Sequence, residues 1–203
     1  MTIIEPLSLL IAKSPNLHTL HVGRTYGPAV SFHHLLKDCP PNLVLPLEHL
    51  GLQSVSLKLD SITLPHLHRL RSLVLHNYKT SESNPHGIWA ILKTTNVYLN
   101  DIDVNHFSIT LLDYISSYSG LKKLRLARIG LETREQSDLA ANKFYNLCLG
   151  KHTSFLEELI IIPIYEGGWC LGDQALVVIS LCKKLRILEG SLVSAALDDA
   201  VVS

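Results

Sequence analysis

The chain has 203 residues with 18 basic and 18 acidic side chains, and it is 47% hydrophobic but only 18% charged. That length and apolar content fit one sizeable domain or one continuous run of repeats and exclude general disorder. The neutral total removes the long-range field that draws proteins to phosphate-rich partners or anionic lipid.

Apolar runs such as Leu159-Ile-Ile-Ile-Pro-Ile164 fall far short of the roughly 20 residues that cross a bilayer. No basic segment leads into an apolar one near Met1, so no secretory signal is expected. The four cysteines, Cys39, Cys148, Cys170 and Cys182, form no C-x-x-C pair and read as reduced and buried. An intracellular compartment, cytoplasmic or nuclear, is the expectation.

Along the chain, apolar segments with helical spacing alternate with a short leucine pattern. Leu7, Leu10 and Ile11 lead to Leu17-His-Thr-Leu20-His-Val22, and Leu35 and Leu36 lead to Leu47-Glu-His-Leu50-Gly-Leu52. Leu70-Arg-Ser-Leu73-Val-Leu75 follows. Ile88, Ile91 and Leu92 precede a weaker copy, Thr94-Thr-Asn-Val97-Tyr-Leu99. Leu111, Leu112 and Ile115 precede Leu121-Lys-Lys-Leu124-Arg-Leu126. Then come Leu156-Glu-Glu-Leu159-Ile-Ile161, the helical set Leu176, Val177, Ile179 and Leu181, and finally Leu185-Arg-Ile-Leu188-Glu-Gly190.

The pattern L-x-x-L-x-L is the strand signature of a leucine-rich repeat. First positions at 17, 47, 70, 94, 121, 156 and 185 give steps of 30, 23, 24, 27, 35 and 29. Neither a lone helix nor a lone short strand can bury its apolar face, whereas stacked units close a continuous core. The expected fold is therefore α/β: a horseshoe-like solenoid of about seven irregular repeats, with a parallel sheet on the concave side and helices on the convex side. Strands are expected near Leu20, Leu50, Leu73, Val97, Leu124, Ile160 and Leu188, in one domain spanning residues 1–203. Neither Met1-Thr-Ile-Ile-Glu-Pro nor Ala200-Val-Val-Ser203 reads as a polar capping repeat, so a fragment or an uncapped chain is expected.

Several helix-to-strand joints are more specific. Ser14-Pro-Asn-Leu17, Tyr118-Ser-Gly-Leu121 and Cys182-Lys-Lys-Leu185 put a small, cysteine or aromatic residue three positions before the first leucine, and Cys39-Pro40 lies at another joint. These resemble the cysteine-containing repeat C-P-x-L-x-x-L-x-L of F-box proteins. The stretch from Leu111 to Leu126, with Leu156-Glu-Glu-Leu159 and Tyr165-Glu-Gly-Gly-Trp-Cys170, is similar to the repeat region of mushroom-type fungal F-box-like proteins, and the resemblance covers roughly residues 5–192. It implies a protein-recognition surface. An F-box would add docking on the Skp adaptor of a cullin-based ubiquitin ligase, but Leu45-Pro-Leu-Glu-His-Leu50 fits a repeat strand better than the start of an F-box. The consensus asparagine three positions after the last leucine is Val55, Tyr78 and Ile129 in three units.

Motifs for chemistry are weak. His33-His34 and His66-Leu-His68 lack zinc spacing, Glu166-Gly-Gly-Trp-Cys170 has no protease signature, and no phosphate loop or nucleophile elbow occurs. Asp101, Asp103, Asp198 and Asp199 read as turn and cap residues. No catalytic residue, cofactor or metal is expected. Strand alternation turns Leu124 and Leu126 inward and leaves Lys123 and Arg125 facing out. The candidate partner site is Tyr98, Lys123, Arg125, Ile160 and Ile162 on the concave face, with His21, His49 and His76 as further exposed residues able to touch a partner. The expected partner is a protein, and neither nucleic acid nor a membrane is expected.

Overall fold

The computed structural model describes residues 4–23, 30–77 and 87–193. The chain forms two compact units, residues 1–99 and 100–203. In the first, α1 (Ile4–Ala12) leads to β1 (Thr19–Gly23), α2 (Phe32–Leu36) to β2 (His49–Gln53), and a single 3-10 turn, Leu64–His66, to β3 (Ser72–His76), after which comes α3 (Gly87–Thr94). The second contains β4 (Asp101–Val104), α4 (Ile109–Ile115), β5 (Lys123–Ile129), α5 (Arg134–Lys143), β6 (Glu158–Pro163), α6 (Asp173–Ile179) and β7 (Ile187–Gly190).

Hydroxyl residues set several helix starts. Ser31, Ser108 and Thr133 accept the N–H of His34, Leu111 and Gln136, satisfying donors that the first helical turn leaves open. All strand pairs within each unit are parallel, and strand order follows chain order. The register aligns the repeats: Leu20, Leu50 and Leu73 lie side by side in the first unit, and Ile102, Leu124, Leu159 and Leu188 in the second. From Leu50 through Leu159 these side chains are buried, and the buried residues of the helices supply the rest of the core.

One backbone motif recurs at the strand entries. The carbonyl of His18 accepts both Glu48 and His49 N–H, and that of Glu48 accepts both Arg71 and Ser72. The carbonyls of Asn100, Lys122 and Glu157 do the same for the residue pairs 122–123, 157–158 and 186–187, at 2.7 to 3.2 Å. In every case the donors are the two x residues that follow the first leucine of L-x-x-L. Their backbones hold the repeat to its predecessor, so their side chains are left to face solvent.

The fourth strand is not at Val97. Asn96, at φ 55°, closes the end of α3, and the Val97 N–H donates back to the Leu92 carbonyl at 2.9 Å. The repeat is instead Leu99-Asn-Asp-Ile102-Asp-Val104, with Leu99, Ile102 and Val104 buried. Asp101 and Asp103, read from sequence as turn residues, are the outward positions of β4. Asp198, Asp199 and Tyr78 lie outside the described residues.

At three strand ends the residue two past the last repeat leucine is left-handed: Ser54 (φ 57°), Asn77 (φ 50°) and Arg128 (φ 55°). After Ser54 and Arg128 the corner turns the next residue inward. Val55 and Ile129, which occupy the consensus asparagine position, are consequently 0% and 1% exposed. Apolar packing replaces the asparagine's hydrogen bonds there, and at Arg128 the extra residue shifts the β5–β6 register by one.

Two histidines, each four positions before a first leucine, reach back to the preceding repeat. His66 Nδ1 accepts the Leu45 N–H at 3.0 Å. His152 Nδ1 accepts the Leu121 N–H at 3.2 Å, while its Nε2–H donates to the Ile115 carbonyl at 3.1 Å. Burial pushes both imidazoles below their ordinary pKa; His68 adds to this at His66, and at His152 the Ile115 hydrogen bond only partly opposes it.

The unfolded chain takes up protons at its histidines below about pH 6.5, whereas the folded chain resists protonating these two. Stability should therefore fall as pH drops from about 6.5 toward the depressed values, by up to about 1.4 kcal/mol per pH unit for each histidine. Denaturant titrations between pH 7.5 and 5 check this, and imidazole nitrogen NMR at pH 7.5 should find His152 as the Nε2–H tautomer.

The facing of β5 has its own test. Leu124→Ala should cost about 2 to 5 kcal/mol by leaving a cavity, whereas Lys123→Ala should stay within about 0.5 kcal/mol. Thermal unfolding of the two variants compares them directly.

Candidate functional site

Once the leucines are committed to the core, the outward strand positions carry whatever chemistry the chain offers. In the second unit they form two rows. One runs Asp101, Lys123, Glu158, Ile187 and the other Asp103, Arg125, Ile160, Glu189, each residue in register with the next. Arg125 Nε lies 3.9 Å from Asp103 Oδ1. Two cations thus stand among four carboxylates, and the basic stretch at 121–128 is answered by acids on the adjoining strands.

Of the five residues expected to form a partner site, Lys123, Arg125, Ile160 and Ile162 share two adjacent strands. Lys123 and Arg125 are exposed and Ile162 is half-buried. Ile160 departs from expectation: it is 5% exposed, set in register between the long side chains of Arg125 and Glu189. Tyr98 is exposed but belongs to the first unit and precedes β4, where its hydroxyl donates to Asn96 Oδ1 at 2.9 Å. It does not stand in the outward row, because the repeat it was assigned to lies five residues further on. Asp103 and Glu189, missed at the sequence level, flank that row.

The outward face of the first unit has a different character. Its rows are Thr19, His49, Ser72; His21, Gly51, Val74; and Gly23, Gln53, His76. None of the nine is Asp, Glu, Lys or Arg. This face carries a shallow cleft of about 140 Å³, lined by His21, Gln53, Val74 and His76, and the His21 ring packs over Gly51.

The remaining motifs resolve into structure. His33 Nδ1 pairs with Asp60 Oδ2 at 2.5 Å, and His34 Nδ1 with Ser31 Oγ at 2.9 Å. Burial works to raise the Asp60 carboxyl, but N–H donors from Thr63 and Ile62 together with the His33 ring outweigh it and hold it below its ordinary pKa. Among the described residues no three His, Cys, Asp or Glu side chains gather as a metal site. Nor is any described helix long and apolar enough to cross a membrane.

The stretch at 166–170 is a packing corner. Trp169 sits 4.8 Å from Phe107 and 5.4 Å from Phe144 between ring centroids, and its Nε1–H donates to Ser137 Oγ at 3.2 Å. Gly168 N–H donates to Asp138 Oδ1 at 2.6 Å, and a Cβ at Gly167 would come 2.7 Å from that same oxygen, which explains the glycine pair.

Against protein-family models, curated proteins and solved structures, the chain gives no match in any of the three comparisons. What the geometry shows by itself is an α/β fold whose strands are parallel and follow chain order.

Cysteine chemistry can be checked directly. Cys170 is 4% exposed and Cys148 is 0% exposed. Burial pushes the Cys148 thiol up to about 11, so little thiolate exists near neutrality. In native protein at pH 8, a disulfide reagent should label both at least about tenfold more slowly than free cysteine, with full labelling on unfolding.

Proposed function

We propose that this chain is a leucine-rich-repeat solenoid that recognises another protein through the outward face of its strands, without catalysis. We further propose that it is the substrate-recognition region of an F-box-like ubiquitin-ligase component. The observation that carries the first part is the paired outward rows of β4 to β6, in which charged side chains are fixed in register on strands whose Ile102, Leu124, Leu126 and Leu159 are committed to the core. Such a surface offers a partner ordered contacts two residues apart along each strand and about 4.8 Å apart between strands.

The ligase part rests on the repeat resemblance. Co-precipitation of the full-length gene product with Skp adaptor and cullin tests it, and their absence would leave a recognition protein without a ligase role.

For the recognition part, Arg125 has the properties of an interface anchor, with a planar multi-donor head and an ordered carboxylate neighbour. Arg125→Ala should weaken binding of a purified protein partner about tenfold, corresponding to about 1.4 kcal/mol. Glu135→Ala on α5 should leave affinity unchanged. Equal affinity for both folded variants would remove the β5 face from the reading.

A further inference from the structure

The carbonyl lock between successive repeats leaves an unused half at each end of the described strands. Among the described residues β7 pairs only with β6, and β1 only with β2. At the β7 end, the position equivalent to His18, Glu48, Asn100, Lys122 and Glu157 is Arg186. Its N–H is spent on the Glu157 carbonyl, while its own carbonyl receives no N–H from a described residue. At the β1 end, the positions equivalent to Glu48 and His49 are His18 and Thr19. In the other repeats these two N–H groups reach back to the preceding strand, and no described strand precedes β1.

The apolar side chains show the same incompleteness. Leu188 stands in register with Leu124 and Leu159, which are buried, yet it is 43% exposed. On α6, the helix leading to β7, Leu176 and Val177 are exposed, and α1, the helix leading to β1, exposes Leu9 and Leu10. Within the chain α1 lies beside α2 as β1 lies beside β2, so one stacking step carries helix and strand together.

We propose that β7 is extended by β1 of a second copy of this chain, added parallel and in the register the repeats already use. The Arg186 carbonyl then accepts the N–H groups of the second copy's His18 and Thr19, with Ile187 opposite Thr19 and Leu188 opposite Leu20. The same step lays the second copy's α1 beside α6 and brings two exposed apolar helix surfaces together. A second copy is the fitting occupant because one chain carries both halves of the lock, the acceptor at one end and the two donors at the other. An antiparallel contact between two β7 edges would leave those donors unmatched. Joining unlike ends is a heterologous contact, and it stands on the backbone and the end leucines, independent of the recognition reading.

Sedimentation velocity on the full chain and two blocked variants tests this. Thr19→Pro removes a donor at the first residue of an edge strand, where proline is tolerated, and Leu188→Lys puts a charge on the β7 edge. Wild-type protein should gain mass with concentration, passing that of one chain below about 100 μM. Each variant alone should associate at least about tenfold more weakly, since every contact needs one end of each kind. Mixed in equal amounts, the two should form pairs and nothing larger, because one intact β7 end and one intact β1 end remain between them. Thermal unfolding checks that each variant is folded, and His18→Pro or Leu188→Glu replaces one that is not. Wild-type protein at the mass of one chain throughout, a folded variant that associates as well as wild type, or a mixture that does not pair would overturn the proposal.

Discussion

The rest of the structure depends on one carbonyl accepting two successive N–H groups at the strand entries. The bond pair lies where a chain returning from its crossover must choose a register, and it allows one answer. A slip of a single residue would turn Leu50 or Leu124 to solvent and bring His49 or Lys123 into the core. Because both partners are backbone groups, the lock is indifferent to side-chain identity at the x positions. Leucine is needed for the core and little else is needed for the fold, so the outward residues are free to differ from strand to strand.

The same lock explains why the crossovers can be so unequal. Parallel neighbours need a long connection, but lengthening it costs only slowly, about 0.6 kcal/mol per doubling. One connection therefore manages with a single 3-10 turn at Leu64–His66, while another extends α5 through a π turn, Phe144–Cys148. Where a long connection must be held, a buried side chain ties it back: His152 joins the end of that extended crossover to Leu121 and Ile115. The left-handed corners at Ser54, Asn77 and Arg128 do comparable work at the opposite ends of their strands.

Strand positions were legible in the sequence wherever leucine marked them, because the template fixes both spacing and facing. The fourth failed for a physical reason. Leu99 can serve as the last leucine of one template or the first of another, and Asp101 and Asp103 read as turn residues because aspartate is poor in strands. The deciding signal was present as the alternation of Asp101 and Asp103 with Ile102 and Val104. Helix α5 escaped notice because its buried face is Ser137, Ala140 and Ala141, which form no large apolar stripe. The low exposure of Ile160 and the His21 ring lying over Gly51 depend on neighbours from other strands, which a one-dimensional pattern does not rank. At the candidate site, sequence identified which residues face outward on β5 and β6, Glu158 included, but not the acids of the flanking strands, Asp101, Asp103 and Glu189.

Those acids change what the β5 face can recognise. An exposed pair such as Arg125 with Asp103 contributes only about 0 to 1 kcal/mol to stability, so the fold does not depend on it. Phosphate approaching Lys123 and Arg125 would also meet Asp101, Asp103, Glu158 and Glu189, and the repulsion offsets the attraction. A protein partner can instead match the order of signs along each row, acid to base and base to acid, with the apolar Ile160 and Ile162 between. The stretch from Lys122 to Arg128 is thus basic in sequence but mixed in space, and under the proposed recognition role discrimination would follow the pattern of charge, not its total.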